Sequence, residues 1–134
     1  MNEQWMKAVL AARNFAYVPY SNFKVGAVLI DLDGNLYQGC NIENSSYGLS
    51  NCAERTAIFK AVSKGVKEFK ALVVTGDTEG PISPCGACRQ VISEFCAGGM
   101  PVYLTNIQGE VLETTVEKLL PGAFTKGDLP SAGK

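Results

Sequence analysis

Apolar residues recur at Trp5, Met6, Val9, Leu10, Ala12, Phe15 and Ala16, a helical spacing that predicts an amphipathic helix stopped by Pro19. The period then changes. "FKVGAVLI" reads as a mostly buried strand, Asp33-Gly34 as a hairpin turn and "NLYQGC" as the antiparallel partner. "NIENSSYGLSN" has no apolar period and is rich in Asn, Ser and Gly, which predicts a loop long enough to carry function. A helix follows over residues 52–64, with Gly65 as its stop, and then a buried strand, "FKALVVTG". After the loop "TEGPISP" come a helix over residues 86–96, the strand "PVYLTN", a turn at Gln108-Gly109 and the strand "EVLET". "VEKLL" makes a short helix closed by Pro121-Gly122, and the tail from Lys126 is expected to be loosely ordered.

Helices and strands alternate after the opening hairpin. The expected architecture is therefore α/β, a three-layer α/β/α sandwich around a mixed five-stranded sheet. A length of 134 residues with 46% hydrophobic content suits one domain over residues 1–134. Charged residues make up 19% and the net charge is -1, so no basic field exists to attract a polymeric nucleic acid or an anionic membrane. Glu3, Lys7 and Arg13 interrupt the N-terminal apolar pattern, which matches neither a signal peptide nor a membrane span. A cytoplasmic location is expected.

That location changes the reading of the cysteines. There are five and no histidine, and an odd set of thiols in a reducing compartment points to metal binding or catalysis before disulfides. Cys40 and Cys96 end apolar runs and are expected to be buried as small hydrophobes. Cys52, Cys85 and Cys88 sit in "NCAERTA" and "SPCGACRQ", and each motif begins a predicted helix directly after a polar loop. At a helix N-terminus the free N–H groups and the dipole favour thiolate, the form that binds metal. Cys85 and Cys88 stand one turn apart and face one point, and Cys52 can supply a third ligand.

Three protein ligands are the pattern of a catalytic zinc, since a structural site normally takes four. Cys96 lies about 12 Å along the helix from Cys88, too far to join the same ion, and Cys40 lies outside both helix starts. Glu54, two residues after Cys52, is placed to move protons beside the metal; the alternative is a capping box, Asn51-x-x-Glu54. Arg55 would hydrogen-bond the ligand sulfurs and withdraw part of the excess negative charge that three thiolates leave on a divalent ion.

"CAE" followed at a distance by "PCGAC" resembles the zinc nucleobase deaminase signature, with Cys52 standing where that signature has histidine. With "GCNIEN" and "CAERTA" in order, and with similarity from "VPYSNFKVGA" to "LLPGAF", the chain resembles the small, homotetrameric, all-cysteine cytidine deaminases. The resemblance implies hydrolytic deamination of cytidine and 2′-deoxycytidine in pyrimidine salvage, with one Zn²⁺ per chain on Cys52, Cys85 and Cys88. It further implies that Glu54 relays protons while a metal-activated water adds to C4 of the base. Ala53 would contact the base through its backbone, Asn41 and Glu43 would bind ribose hydroxyls, and Phe23 would pack on the base. Tyr47 and Phe124 match positions that reach a neighbouring subunit's site. Chemically, a neutral amide and a carboxylate suit sugar hydroxyls, and "NIENSSYG" has no Lys or Arg for a phosphate. The segment "YGLSN" departs from the family's pattern beside the pocket.

Three other readings compete. A sister family with the same metal motifs deaminates the cytosine analogue blasticidin S, so the substrate rests on "NIEN" and its neighbours. A non-catalytic structural zinc module would need a fourth ligand and has no use for Glu54. A thiol oxidoreductase would place its C-x-x-C after the first strand of a thioredoxin-like pattern, whereas "CGAC" comes late and leaves a third cysteine unused.

Overall fold

The computed structural model describes residues 1–129. Its elements are α1 (Glu3–Arg13), β1 (Val25–Asp31), β2 (Leu36–Cys40), α2 (Ala53–Ser63), β3 (Phe69–Gly76), α3 (Gly86–Phe95), β4 (Pro101–Thr105), β5 (Val111–Thr115) and the single turn α4 (Val116–Leu119), with 3-10 turns at Tyr47–Leu49 and Lys126–Asp128. The strands form one sheet in the order β2-β1-β3-β4-β5. Only β3 and β4 pair in parallel; the other three pairings are antiparallel. This is the expected mixed five-stranded sheet, and it has helices on both faces.

Period-two alternation sorts the side chains of the central strands. Val28, Ile30, Ala71, Val73 and Tyr103 point to the α1 side, where Val9, Trp5 and Met6 cover them. Trp5 packs on Tyr103 with ring centroids 6.1 Å apart. Ala27, Leu29, Leu72, Val74, Val102 and Leu104 point the other way, against Ala57, Ile58 and Ala61 of α2 and Ile92 of α3. Every residue of β1 is buried, as a strand covered on both faces must be.

One packing contact is unusually close. A Cβ added at Gly39 on β2 would lie 2.4 Å from Ala57 N and 2.6 Å from Ala53 O, so strand and helix backbones nearly touch there. Ala53, Ala57 and Ala61 line the facing stripe of α2 and are fully buried.

The topology also decides where a site can form. Strands β2 and β3 both run antiparallel to β1, so they share a direction. The helices that follow them, α2 and α3, therefore begin at the same end of the sheet, and the two cysteine motifs arrive side by side.

Four local expectations are corrected. Helix α1 ends at Arg13, capped by Asn14, and does not reach Ala16, because Tyr17 bridges to Ile42 and its N–H donates to Asn41 O. Strand β1 begins at Val25 and not at Phe23. The Asn41 side chain accepts from Val25 N at 2.9 Å and donates to Phe23 O at 2.8 Å, which takes residues 23–24 out of the ladder. Cys40 is half-buried, since β2 is an edge strand; Cys96 is buried as expected. The capping box that was the alternative for Glu54 does not form, since Cys52 caps α2 and the Asn51 amide donates to Thr56 Oγ1 at 3.1 Å. The tail opens with a 3-10 turn whose Thr125–Asp128 capping box is complete, and residues 130–134 lie outside the described residues.

Candidate metal centre and cavity

Cys52 is the N-cap of α2 and Cys85 the N-cap of α3, both with extended backbone, so both sulfurs stand at helix starts, and that of Cys85 accepts from its own helix. Cys85 Sγ accepts from Cys88 N at 3.4 Å. The three sulfurs lie within 4.8 Å of one another, the one such cluster among the described residues. Cys52 Sγ and Cys85 Sγ are 3.6 Å apart. That is far beyond a disulfide bond of about 2.05 Å. It is close to the edge of about 3.8 Å that a tetrahedron with Zn–S bonds of about 2.3 Å requires. The donor set thus fits zinc in spacing and in softness. Cys40 and Cys96 are not part of the cluster.

The electrostatics favour a thiolate on Cys52. The hydrogen bond with Cys88 draws the Cys52 thiol down to about 5, with Arg55 and Cys85 helping against the cost of burial. The same bond, together with burial, pushes Cys88 up, so proton loss falls on Cys52. Arg55 Nη2 donates to Cys52 Sγ at 3.3 Å, as the sequence suggested, and Arg55 Nε is buried without a partner. Glu54 is 4% exposed and carries no ion pair; burial pushes its carboxyl up to about 7, and the charge of Cys52 adds to the rise against Arg55. A carboxyl balanced near neutrality both takes and gives protons at pH 7.

Cys52, Cys85, Glu54 and Arg55 line a cavity of about 560 Å³. Its walls bring together Phe23, Asn41, Glu43, Tyr47, Ala53, Glu54, Arg55, Cys52 and Cys85, nearly all the residues singled out from the sequence. Cys88 and Phe124 are not among them: Cys88 is fully buried, while Phe124 is exposed and its carbonyl accepts from Gln90 Nε2 at 2.8 Å. Tyr47 lines the rim of this chain's own cavity and is highly exposed. Thr78, Ile82 and Ser83 also line the wall, although "TEGPISP" reads from the sequence only as a connection.

Asn41 and Glu43 hold the cavity wall as well as facing it. The two bonds of the Asn41 amide to Phe23 and Val25 leave one donor and one acceptor position free. Glu43 Oε1 accepts from Tyr20 N and Ser21 N, each at 3.1 Å, and Oε2 accepts from the Ser21 hydroxyl. The Ser21 hydroxyl is the main cause holding the Glu43 carboxyl below its usual range. Behind the metal cluster, Arg89 donates to Pro84 O at 2.9 Å and to Leu119 O at 2.7 Å, which anchors the turn that leads into Cys85. Neither Ser21 nor Arg89 was singled out from the sequence. The only signal for Ser21 was its place in the turn-forming "PYSN".

Comparison with known proteins agrees with this geometry. A family model described as the cytidine and deoxycytidylate deaminase zinc-binding region matches residues 1–104. A cytidine deaminase of Sporosarcina psychrophila is 69% identical over 123 residues, 92% of this chain and 90% of that protein. A cytidine deaminase of Halalkalibacterium halodurans is 56% identical over 124 residues, 92% of this chain and 94% of that one. The crystal structure of cytidine deaminase from Burkholderia pseudomallei matches with a TM-score of 0.89 at 54% identity, covering 92% of this chain and 100% of that chain.

Proposed function

The chain belongs to the cytidine deaminase family, and from that premise we infer that it hydrolyses cytidine and 2′-deoxycytidine to uridine and 2′-deoxyuridine, releasing ammonia. The observation that carries the reading is the convergence of a three-cysteine cluster and one buried carboxyl at a single nucleoside-sized cavity, with Cys52, Cys85 and Glu54 in its wall and Cys88 buried beside them. Zinc held by Cys52, Cys85 and Cys88 supplies Lewis acidity that lowers the pKa of water toward neutrality.

The residues do the rest. Glu54 takes one proton from the water that adds to C4 of the base and gives it to N3. It then carries the second proton to the exocyclic amine, which leaves as ammonia while C4 becomes a carbonyl; the carboxylate is regenerated and no redox change occurs. Burial serves both halves of this relay, since it favours the neutral carboxylic acid enough for transfer in either direction. Arg55 holds Cys52 Sγ and draws electron density from the thiolates.

Phe23 supplies an apolar face for the pyrimidine, and Ala53, at the first turn of α2, offers backbone to its edge. The free donor of Asn41 and the free lone pair of Glu43 take the ribose hydroxyls. The described wall has no cation besides Arg55, which is engaged with sulfur, so a 5′-phosphate has no partner and the substrate is a free nucleoside. Turnover of free cytosine nucleosides is the chemistry of pyrimidine salvage.

Assembly as a homotetramer is supported by the aromatic and aliphatic side chains left in water, among them Phe15, Tyr47, Leu49, Phe59 and Phe124. Phe124 is free to enter a neighbouring copy's cavity, and Tyr47 stands at the rim where such a contact would fall. No helix among the described residues is long and apolar enough to cross a membrane. The free cysteines suit a reducing, cytoplasmic setting.

The test is direct. Metal-replete protein releases ammonia from cytidine with loss of cytidine absorbance, and Glu54→Gln loses at least about a thousandfold in kcat while keeping about one zinc per chain. Unchanged kcat in Glu54→Gln would end the proton-relay assignment. No activity toward any cytosine nucleoside would leave the metal with a purely structural role.

A further inference from the structure

The turn that carries Phe23 and the carboxylate of Glu43 meet at one hydroxyl. Ser21 Oγ donates to Glu43 Oε2 and accepts from Phe23 N at 3.0 Å. Between the two residues, Asn22 adopts φ 59, the left-handed conformation that Asn tolerates better than most residues. The reversal sends Phe23 toward the cavity while Ser21 faces Glu43, 22 positions further along the chain.

We propose that Ser21 is a positioning residue for nucleoside recognition, locking the Glu43 carboxylate and the Phe23 ring into one arrangement so that the sugar and base ends of the cavity are set together. Three of the roughly four lone-pair sites of the carboxylate are filled from residues 20 and 21, which orients the remaining one. Without the hydroxyl, Oε2 has no protein donor, Phe23 N loses its acceptor, and the carboxylate is held only through Oε1, by the N–H groups of Tyr20 and Ser21. The Ser21 side chain is exposed, so water replaces the lost bonds and the fold is spared. The loss therefore falls on orientation, and orientation is what binding at this cavity uses.

The proposal rests on the reading in which Glu43 binds ribose, and the experiment separates the two. Steady-state kinetics on cytidine would be measured for Ser21→Ala, Ser21→Thr, Glu43→Gln and the double variant Ser21→Ala/Glu43→Gln, with a thermal melt of each. Ser21→Ala should raise KM about tenfold, with kcat and melting temperature close to the parent. Ser21→Thr, which keeps the hydroxyl, should restore KM to within about threefold. In the Glu43→Gln background the same alanine change should add less than about twofold, because the two residues act as one unit.

If Glu43→Gln raises KM and Ser21→Ala does not, the role of Ser21 is refuted and the sugar-binding role of Glu43 stands. If Glu43→Gln leaves KM unchanged, the sugar-binding reading fails and takes this proposal with it. Fully additive effects, or a fall in melting temperature with no change in KM, would mean that Ser21 acts independently of Glu43 or only on the fold, and either outcome overturns the proposal.

Discussion

A single methyl group at Gly39 should disturb the metal centre without touching it. The added Cβ would lie 2.4 Å from Ala57 N and 2.6 Å from Ala53 O, both of them α2 backbone atoms with no rotamer to give. Restoring a contact of about 3.5 Å requires a retreat of about 1 Å. Since Ala53 is the first residue of α2 and Cys52 its cap, displacement of this turn moves the Cys52 sulfur and the Glu54 carboxyl with it. Overpacking of this kind costs about 2 kcal/mol, a fall in melting temperature of about 8 °C for a domain of this size. A shift of about 1 Å at reacting groups costs about a hundredfold in rate. Gly39→Ala should therefore show both effects, read by a thermal melt and by kcat on cytidine. Gly99→Ala serves as the control, because its methyl enters open space and should stay within about 0.5 kcal/mol of the parent. A Gly39→Ala protein that melts early but turns over normally would mean that the edge strand β2 had yielded instead of α2, and would refute the link from this contact to the site.

Two further outcomes follow from the charges. Arg55→Gln removes the cation that holds Cys52 Sγ at 3.3 Å, and should lower kcat about ten- to a hundredfold while zinc content, read by metal analysis, stays near one per chain; parental turnover would refute the tuning role. Asp31 is buried, which works against its charge, yet bonds from Asn35, Tyr37 and Asp33 outweigh that cost and hold its carboxyl below the usual range. Its folded pKa is thus lower than its unfolded one, so its contribution is complete above about pH 4 and is lost as pH falls through the folded value. Melting temperature should fall on acidification through that window in the parent and fall less in Asp31→Asn; parallel curves would refute the assignment.

The parts of this fold that depend on period or on helix ends were legible along the chain. Five strands, the hairpin at Asp33-Gly34 and the two cysteine-led helices follow from alternation, turn residues and helix-start chemistry, all of which are local. Where the sequence misled about the start of β1, a side chain far along the chain had replaced a ladder bond. Phe23 and Lys24 look like the start of a strand by pattern, but the Asn41 amide, 18 positions from Phe23, occupies that backbone. The alternative of a capping box at Glu54 rested on spacing alone; Cys52 takes the cap position and the carboxyl goes inward. Arg89 gave no signal, and Ser21 none beyond its place in a turn, because hydrogen bonds to distant carboxylates and carbonyls leave no period. The residues of the centre itself stood out for a different reason, since thiols and a carboxylate crowded at helix starts are chemically costly unless something binds there.

The chain's single tryptophan, Trp5, lies against Tyr103 on the face of the sheet opposite α2 and α3. Its fluorescence therefore reports whether α1 remains docked and is insulated from events in the cavity. A change in activity with a steady tryptophan spectrum marks a fault in the site, and a spectral shift marks loosening of the sheet, so one inexpensive signal separates chemical from structural damage in any variant of this protein.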